Sequence, residues 1–410
     1  MINYYYKLLY FLPLALVTGP FLPDLIVVIC SLLFLIDTIK LKLFKYYNNY
    51  FFKIFLGFLI LINLSSIFSE YYLPFKYSIG YIRYGIFSIF LFYVLTNFEN
   101  FKINFSIIFF SVFILVILDG YIQYFFGKNI FFYELQKYNT GLPYVTSFFD
   151  EEKKLGSFLA RLSPIFFISI LMINNKINLK YQLPNSIIIL LLFILILLTT
   201  ERVSIFIITS LVILIFFKSR FLINSKKIFF VTFVILTIVV FYFNPSLFEK
   251  MKSVFYSIGI INPGQLSDGT IIGGYDKGLF IFSKYHHLQI ITSFDIFKDN
   301  LFFGVGAKSY KFATLMGWHP HNIHLQTLAE LGIFSYLILF SVFCLISFKL
   351  IKILFFQSFD NSYNEMNFYI VVVIFLNLLP IPSGDFFNNW LNIIYYFPIG
   401  FLLFLNEKKI

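Results

Sequence analysis

IIILLLFILILLTTERVSIFIITSLVILIFF, Ile187–Phe217, consists of two apolar runs parted by the polar step TTERVS. Neither run alternates apolar with polar residues, as a strand wet on one face would. Continuous runs of this kind read as bilayer-crossing helices and speak against an outer-membrane barrel. The basic residues that follow, Lys218 and Arg220, are what the cytoplasmic end of such a helix collects.

The pattern recurs in both directions. Of 410 residues, 60% are hydrophobic and only 12% charged, and the mean hydropathy is +0.85. A water-soluble surface cannot be built from that composition. Apolar runs fall near Leu8–Leu22, Leu25–Ile39, Phe51–Phe68, Tyr77–Leu95, Ile103–Phe125 and Leu155–Ile173. After Ile187–Leu198 and Val203–Phe217 come Ile228–Phe243, Ile333–Leu350, Phe368–Leu379 and Leu391–Leu405. The expected fold class is therefore all-α: a polytopic integral membrane protein of about 12 transmembrane helices. The first run lacks a small-residue cleavage site and reads as a retained helix. Residues 1–410 form one membrane domain, and 244–331 form a large helical loop between the ninth and tenth spans.

Basic residues set the orientation. Lys40, Lys42 and Lys45 follow the second run, Lys176 and Lys180 the sixth, and Lys226 and Lys227 join Lys218 and Arg220 after the eighth. Lys349 and Lys352 follow the tenth, and Lys408 and Lys409 end the chain. With this span count all lie on one side, which the positive-inside rule makes the cytoplasm, together with both termini. The two long loops, about Gly127–Lys154 and Asn244–Leu331, then face the periplasm. The net charge of +11 belongs mostly to helix ends, so no nucleic-acid partner is inferred. Cys30 and Cys344 lie within expected spans and imply no disulfide framework.

The chemistry-bearing stretch is FFGVGAKSYKFATLMGWHPHNIHLQTLAELGIFS, Phe302–Ser335. His319, His321 and His324 fall within six residues, with His286 and His287 upstream. Pro320 disfavours helix at His319, and Asn322 is a suitable cap for a helix beginning near His321 or Asn322. On that helix His321 and Leu325 would share a face. An unperturbed imidazole titrates near neutrality and can take a proton from a hydroxyl. His321 and His324 could instead ligate a metal, but no carboxylate or thiolate cluster completes the set in the loop, so no metal site is assigned. Glu330 and Asp385 are expected to face an aqueous vestibule. Gly304 and Gly306 lack the spacing and context of a nucleotide loop and read as a tight turn.

Two arginines stand out. Arg202, in TTERVSI, lies at the mouth of a span, where a charge needs a partner or a ligand. The partner would be Glu201 and the ligand an anion, and ordinary snorkelling to the interface is the remaining reading. Arg161, in FFDEEKKLGSFLARLSPIF (Phe148–Phe167), either supplies a second positive charge or braces the helices through Asp150 or Glu151.

HPHN before a leucine-rich segment and a glycine, with GVG upstream, resembles the O-antigen ligase and polymerase family of bacterial inner-membrane glycosyltransferases. The ligase signature is His, then Asn, Ser or Gln, nine residues, Gly, two residues, then Gly, Thr or Tyr. His321, Asn322 and Gly332 fit, and Ser335 departs at the last position. The resemblance implies a GT-C-like fold and a glycan donor carried on undecaprenyl diphosphate. The acceptor would be a lipid A-core sugar for a ligase, or a second lipid-linked glycan for a polymerase. It implies His321 as base and Arg202 on the diphosphate, with no cofactor. The family's further arginine, upstream of the GVG turn, has no counterpart here, since 244–331 contains none. His286, His287 or Lys284 would stand in, and Arg161, Asn322, His319 and His324 complete the implied substrate-binding set. A transporter or flippase of a lipid-linked glycan is the competing class. It would carry charges near the midplane and inverted repeats, whereas here polar residues gather at one face.

Overall fold

A computed structural model of the chain describes residues 2–71, 74–138, 141–177, 183–218, 226–257, 284–314, 319–359 and 362–407. The fold is nearly all-α. Among the described residues its one sheet is an antiparallel hairpin, Gln136–Lys137 against Pro143–Tyr144.

Among the described residues, six helices are long and apolar enough to cross a membrane: Phe21–Leu41, Tyr50–Ile67, Pro74–Asn97, Glu99–Phe126, Leu155–Asn174 and Ile323–Phe356. Phe229–Phe243 and Pro245–Lys252 pass as a pair bent by 106°, and Ser186–Leu198 is a shorter apolar helix. Arg202–Lys218, Ser362–Asn377 and Asn389–Glu407 are helical as well. The first apolar run is not one helix. It breaks into Ile2–Tyr5, a 3-10 turn over Tyr6–Phe11, and Leu12–Ala15. Pro13 is the local cause, because it has no N–H to continue the ladder.

Polar groups brace the bundle. Arg83 pairs with Asp24 at 3.0 Å, and Asn389 donates to the same carboxylate at 2.9 Å. Ser88 donates to the Tyr396 carbonyl at 2.8 Å, and the rings of Tyr84 and Tyr396 stack at 5.7 Å. Lipid tails are as apolar as helix faces, so packing and such bonds hold the helices together.

Two devices shape the face on which the polar residues gather. The carboxylate of Asp119, near the end of Glu99–Phe126, accepts from Ile130 N–H at 2.9 Å, Ser147 Oγ at 2.5 Å and Asn129 Nδ2 at 3.3 Å. One turn on, Gln123 Oε1 accepts from the N–H groups of Thr146 and Ser147 at 2.8 and 2.7 Å. Together they tie the hairpin-bearing loop onto its helix.

The second device is the glycine turn. Gly304 has φ of +65°, and Val305 and Gly306 donate N–H to the Ala329 and Glu330 carbonyls at 3.1 and 2.8 Å. Gly332, at φ +75°, kinks Ile323–Phe356. A Cβ there would lie 2.2 Å from the Phe302 carbonyl oxygen. GVG and Gly332 thus fit backbone against backbone, as the reading of a tight turn requires.

Candidate functional site

Asn322 caps the helix that begins at Ile323, its Oδ1 accepting the N–H groups of His324 and Leu325 at 2.9 and 3.3 Å. His321 therefore stands outside the helix, at φ +50°. The expectation that it shares a helical face with Leu325 is corrected. Its aim comes from the backbone: His321 N–H donates to His319 Nδ1 at 3.1 Å, and its carbonyl accepts the Ser383 N–H at 2.7 Å. Non-glycine residues adopt such a φ at a cost, so the pinned conformation is held by its surroundings.

The His321 ring lies 4.1 Å from that of His319, 5.7 Å from His286 and 5.9 Å from Tyr285, centroid to centroid. His286 and Tyr285 come from the helix Lys284–Asp299, so the loop motif and a separate helix meet here. Gln289, on the same helix, donates to the His319 carbonyl at 3.2 Å. Burial, and after it the charges of His321 and Arg202, push the His286 imidazole down to about 4. Burial and then His321 do the same for His319, also to about 4. Burial lowers His321 below its ordinary value, opposed by the hydrogen bond with Ser383. These rings are neutral near pH 7 and available as bases.

His286 thus lies within electrostatic reach of both His321 and Arg202. Arg202 opens its helix directly after Thr200 and Glu201. Glu201 turns elsewhere: its carboxylate accepts from Gly156 N–H at 2.9 Å and Ser204 Oγ at 2.7 Å. Burial pushes that carboxyl up to about 7 in spite of these bonds. The carboxylate next in sequence to Arg202 is thereby spent on the start of the Leu155–Ile177 helix.

Arg202 instead lies within electrostatic reach of Tyr138, a group the sequence did not single out. Tyr138 and Thr200 hydroxyls lie 2.9 Å apart, and Lys250 Nζ donates to both, at 2.5 and 3.1 Å. Lys153 and Lys250 each sit 3.8 Å from the centre of the Tyr138 ring. Burial alone would raise the Tyr138 phenol, but Lys250, Thr200 and Lys153 outweigh it and hold the phenol below its ordinary value. Lys250 lies on Pro245–Ser257, beyond the 106° bend. A lysine in a mixed segment such as PSLFEKMKSVFYS has no motif around it, so no sequence signal marked it.

The remaining expected residues sit elsewhere. His324 is buried, its Nε2 bonded to the Leu378 carbonyl at 2.7 Å and its ring beside Tyr336 and Phe343. Arg161 is buried and donates to Asn377 Oδ1 at 2.8 Å and Ser157 Oγ at 3.2 Å. It braces through those partners, while Asp150 and Glu151 are exposed. Lys284 begins its helix, and its side chain lies outside the described residues. Glu330 is fully buried, accepting from Tyr310 N–H at 2.9 Å and Gln326 Nε2 at 2.9 Å, which corrects the vestibule expectation. Asp385 is more open and pairs with Lys308 at 3.5 Å. Among the described residues, no group of three or more His, Cys, Asp or Glu is placed to hold a metal ion.

A polytopic helical membrane protein with neutral imidazoles and clustered cations beside its spans is the class that fold and site define. Residues 187–340 match the family model described as O-antigen ligase, so this stretch is similar to the O-antigen ligase and polymerase family. The match takes in both Arg202 and the whole HPHN motif. A search of curated proteins found no match.

Proposed function

We propose that this protein is a glycosyltransferase of the bacterial inner membrane. It moves a glycan from undecaprenyl diphosphate to a lipid A-core sugar at the periplasmic face. What supports this reading is that the helix carrying Tyr285 and His286 meets the His321 ring, at 5.9 and 5.7 Å, within the stretch that matches the O-antigen ligase model and also holds Arg202. In this reading the shorter helices and the broken N-terminal run complete about twelve spans, and the His321 face is the outer one.

The reaction is a direct displacement without a metal. The acceptor hydroxyl oxygen attacks the anomeric carbon and its proton passes to His321. The bond from that carbon to the phosphate oxygen breaks on the opposite side, and its electron pair leaves with the diphosphate. The anomeric centre inverts. Arg202 receives the growing negative charge, for which a guanidinium is suited because it stays protonated and forks onto two oxygens. Asn322 and His319 hold His321 in place, one by starting the helix and the other through its ring nitrogen.

A polymerase, with a second lipid-linked glycan as acceptor, is the alternative favoured by Ser335. That residue stands where the ligase signature has Gly, Thr or Tyr, and it is fully buried. Reconstitution with a defined lipid-linked oligosaccharide and both acceptors separates the two: transfer to lipid A-core identifies a ligase, and lengthening on the carrier a polymerase. His321→Ala is expected to slow transfer by about 100-fold or more, and Arg202→Ala to do likewise. Full transfer by both variants would refute the assignment.

A further inference from the structure

We propose that Lys250 and Lys153, set around Tyr138, form with Arg202 a single cradle for the diphosphate of the lipid-linked donor. The inference rests on the glycosyltransferase reading and deepens it. Two cations from separate parts of the chain meet at one phenol, and a third stands within its electrostatic reach: Lys153 precedes the Leu155–Ile177 helix, Lys250 comes from beyond the bend, and Arg202 opens another helix.

The geometry is more than proximity. Both ammonium groups stand 3.8 Å from the centre of one ring. Lys250 is fixed by the Tyr138 hydroxyl and by Thr200, two residues before Arg202. Lys153 also lies 4.5 Å from the Tyr144 ring, on the partner strand of the hairpin. Like charges brought this close repel one another, and an anion among them relieves that repulsion.

Charge matching points to a diphosphate. As a diester it carries two negative charges, and it leaves with a third once the bond to the sugar breaks. One guanidinium meets part of that, and a guanidinium with two ammoniums meets all of it. The loop 127–154, held by Asp119 and Gln123, and the bent helix Pro245–Ser257 then have a shared purpose. Each brings a lysine to the leaving group.

The test uses the full-length protein in nanodiscs, with undecaprenyl diphosphate as the binding probe, and undecaprenyl monophosphate and phosphatidylglycerol as comparisons. Lys250→Met and Lys153→Met are each expected to weaken undecaprenyl diphosphate binding at least tenfold. They should raise the donor KM in transfer assays and leave the acceptor KM unchanged. Lys250→Arg should stay within threefold of wild type. Tyr138→Phe keeps the ring and removes only the oxygen that holds Lys250. It should shift donor binding in the same direction and covers the case in which a lysine variant folds poorly.

Unchanged diphosphate binding in both Met variants would overturn the cradle, and so would equal losses for diphosphate and phosphatidylglycerol, which would mark a general lipid-headgroup surface. If that happens while Arg202→Ala and His321→Ala still abolish transfer, the cradle fails and the glycosyltransferase reading stands. If those two variants retain transfer, the reading itself fails.

Discussion

His321 holds a conformation that few residues adopt. A left-handed φ, a bond from its own N–H to His319, and a bond from its carbonyl to Ser383 fix the ring independently of any helix. The ring must be neutral to accept a proton. Since burial lowers its pKa, the acid limb of the transfer profile should have its midpoint below 6.5, the ordinary value for histidine. A limb at or above that value would contradict the neutral-base role. Stability should respond as well. His286 and His319 are near 4 in the fold and near 6.5 when unfolded. Between those values the unfolded chain binds more protons than the folded one, so stability falls as the pH is lowered through that window. Melting temperatures measured in detergent from pH 7.5 to 4.5 should therefore decline, and by less in His286→Gln. HPHN was legible as a motif, and the capping role of Asn322 followed from its residue type. The αL backbone of His321 was not, because it depends on Ser383, which is remote in sequence.

At the scale of elements, the motif helix is positioned by glycines more than by side chains. Gly304 and Gly332 let two backbones touch, and an added Cβ at Gly332 would lie 2.2 Å from the Phe302 carbonyl oxygen. Gly332→Ala combines that clash with a positive φ, and should destabilise the protein by at least about 2 kcal/mol. It should also cut transfer, since Ile323–Phe356 carries Asn322 at its start. An unchanged melting temperature would show that the kink is not required. The apolar runs could be read as helices because continuous hydrophobicity leaves no other structure stable in lipid. The fracture of the first run at Pro13 and the bend before Pro245 were not read. A proline's effect on a helix depends on which neighbours take up the freed carbonyl.

For the whole molecule, the proposal requires that the loop 127–154 and the helix Lys284–Asp299 lie on one side of the membrane and the lysine-rich turns on the other. In a protein with Cys30 and Cys344 replaced by serine, a membrane-impermeant maleimide added outside the inner membrane should label Lys128→Cys and Asp299→Cys. It should miss Lys42→Cys and Lys352→Cys. All four positions are exposed. The reverse pattern would invert the orientation, and labelling of Lys128→Cys without Asp299→Cys would split the site across two leaflets.

By itself the sequence determined the membrane class, the helical architecture and the family resemblance, and it offered His321 and Arg202 as the candidates to test. These are carried by local composition and spacing: a bilayer selects for apolar length, and proton transfer or anion binding selects for residue type. Tertiary structure decided which distant groups meet. It turned Glu201 onto the Leu155–Ile177 helix, buried His324 and Arg161 among structural partners, and brought Tyr138, Lys153 and Lys250 together. Chain folding sets such encounters across many residues, and no spacing rule along the sequence encodes them.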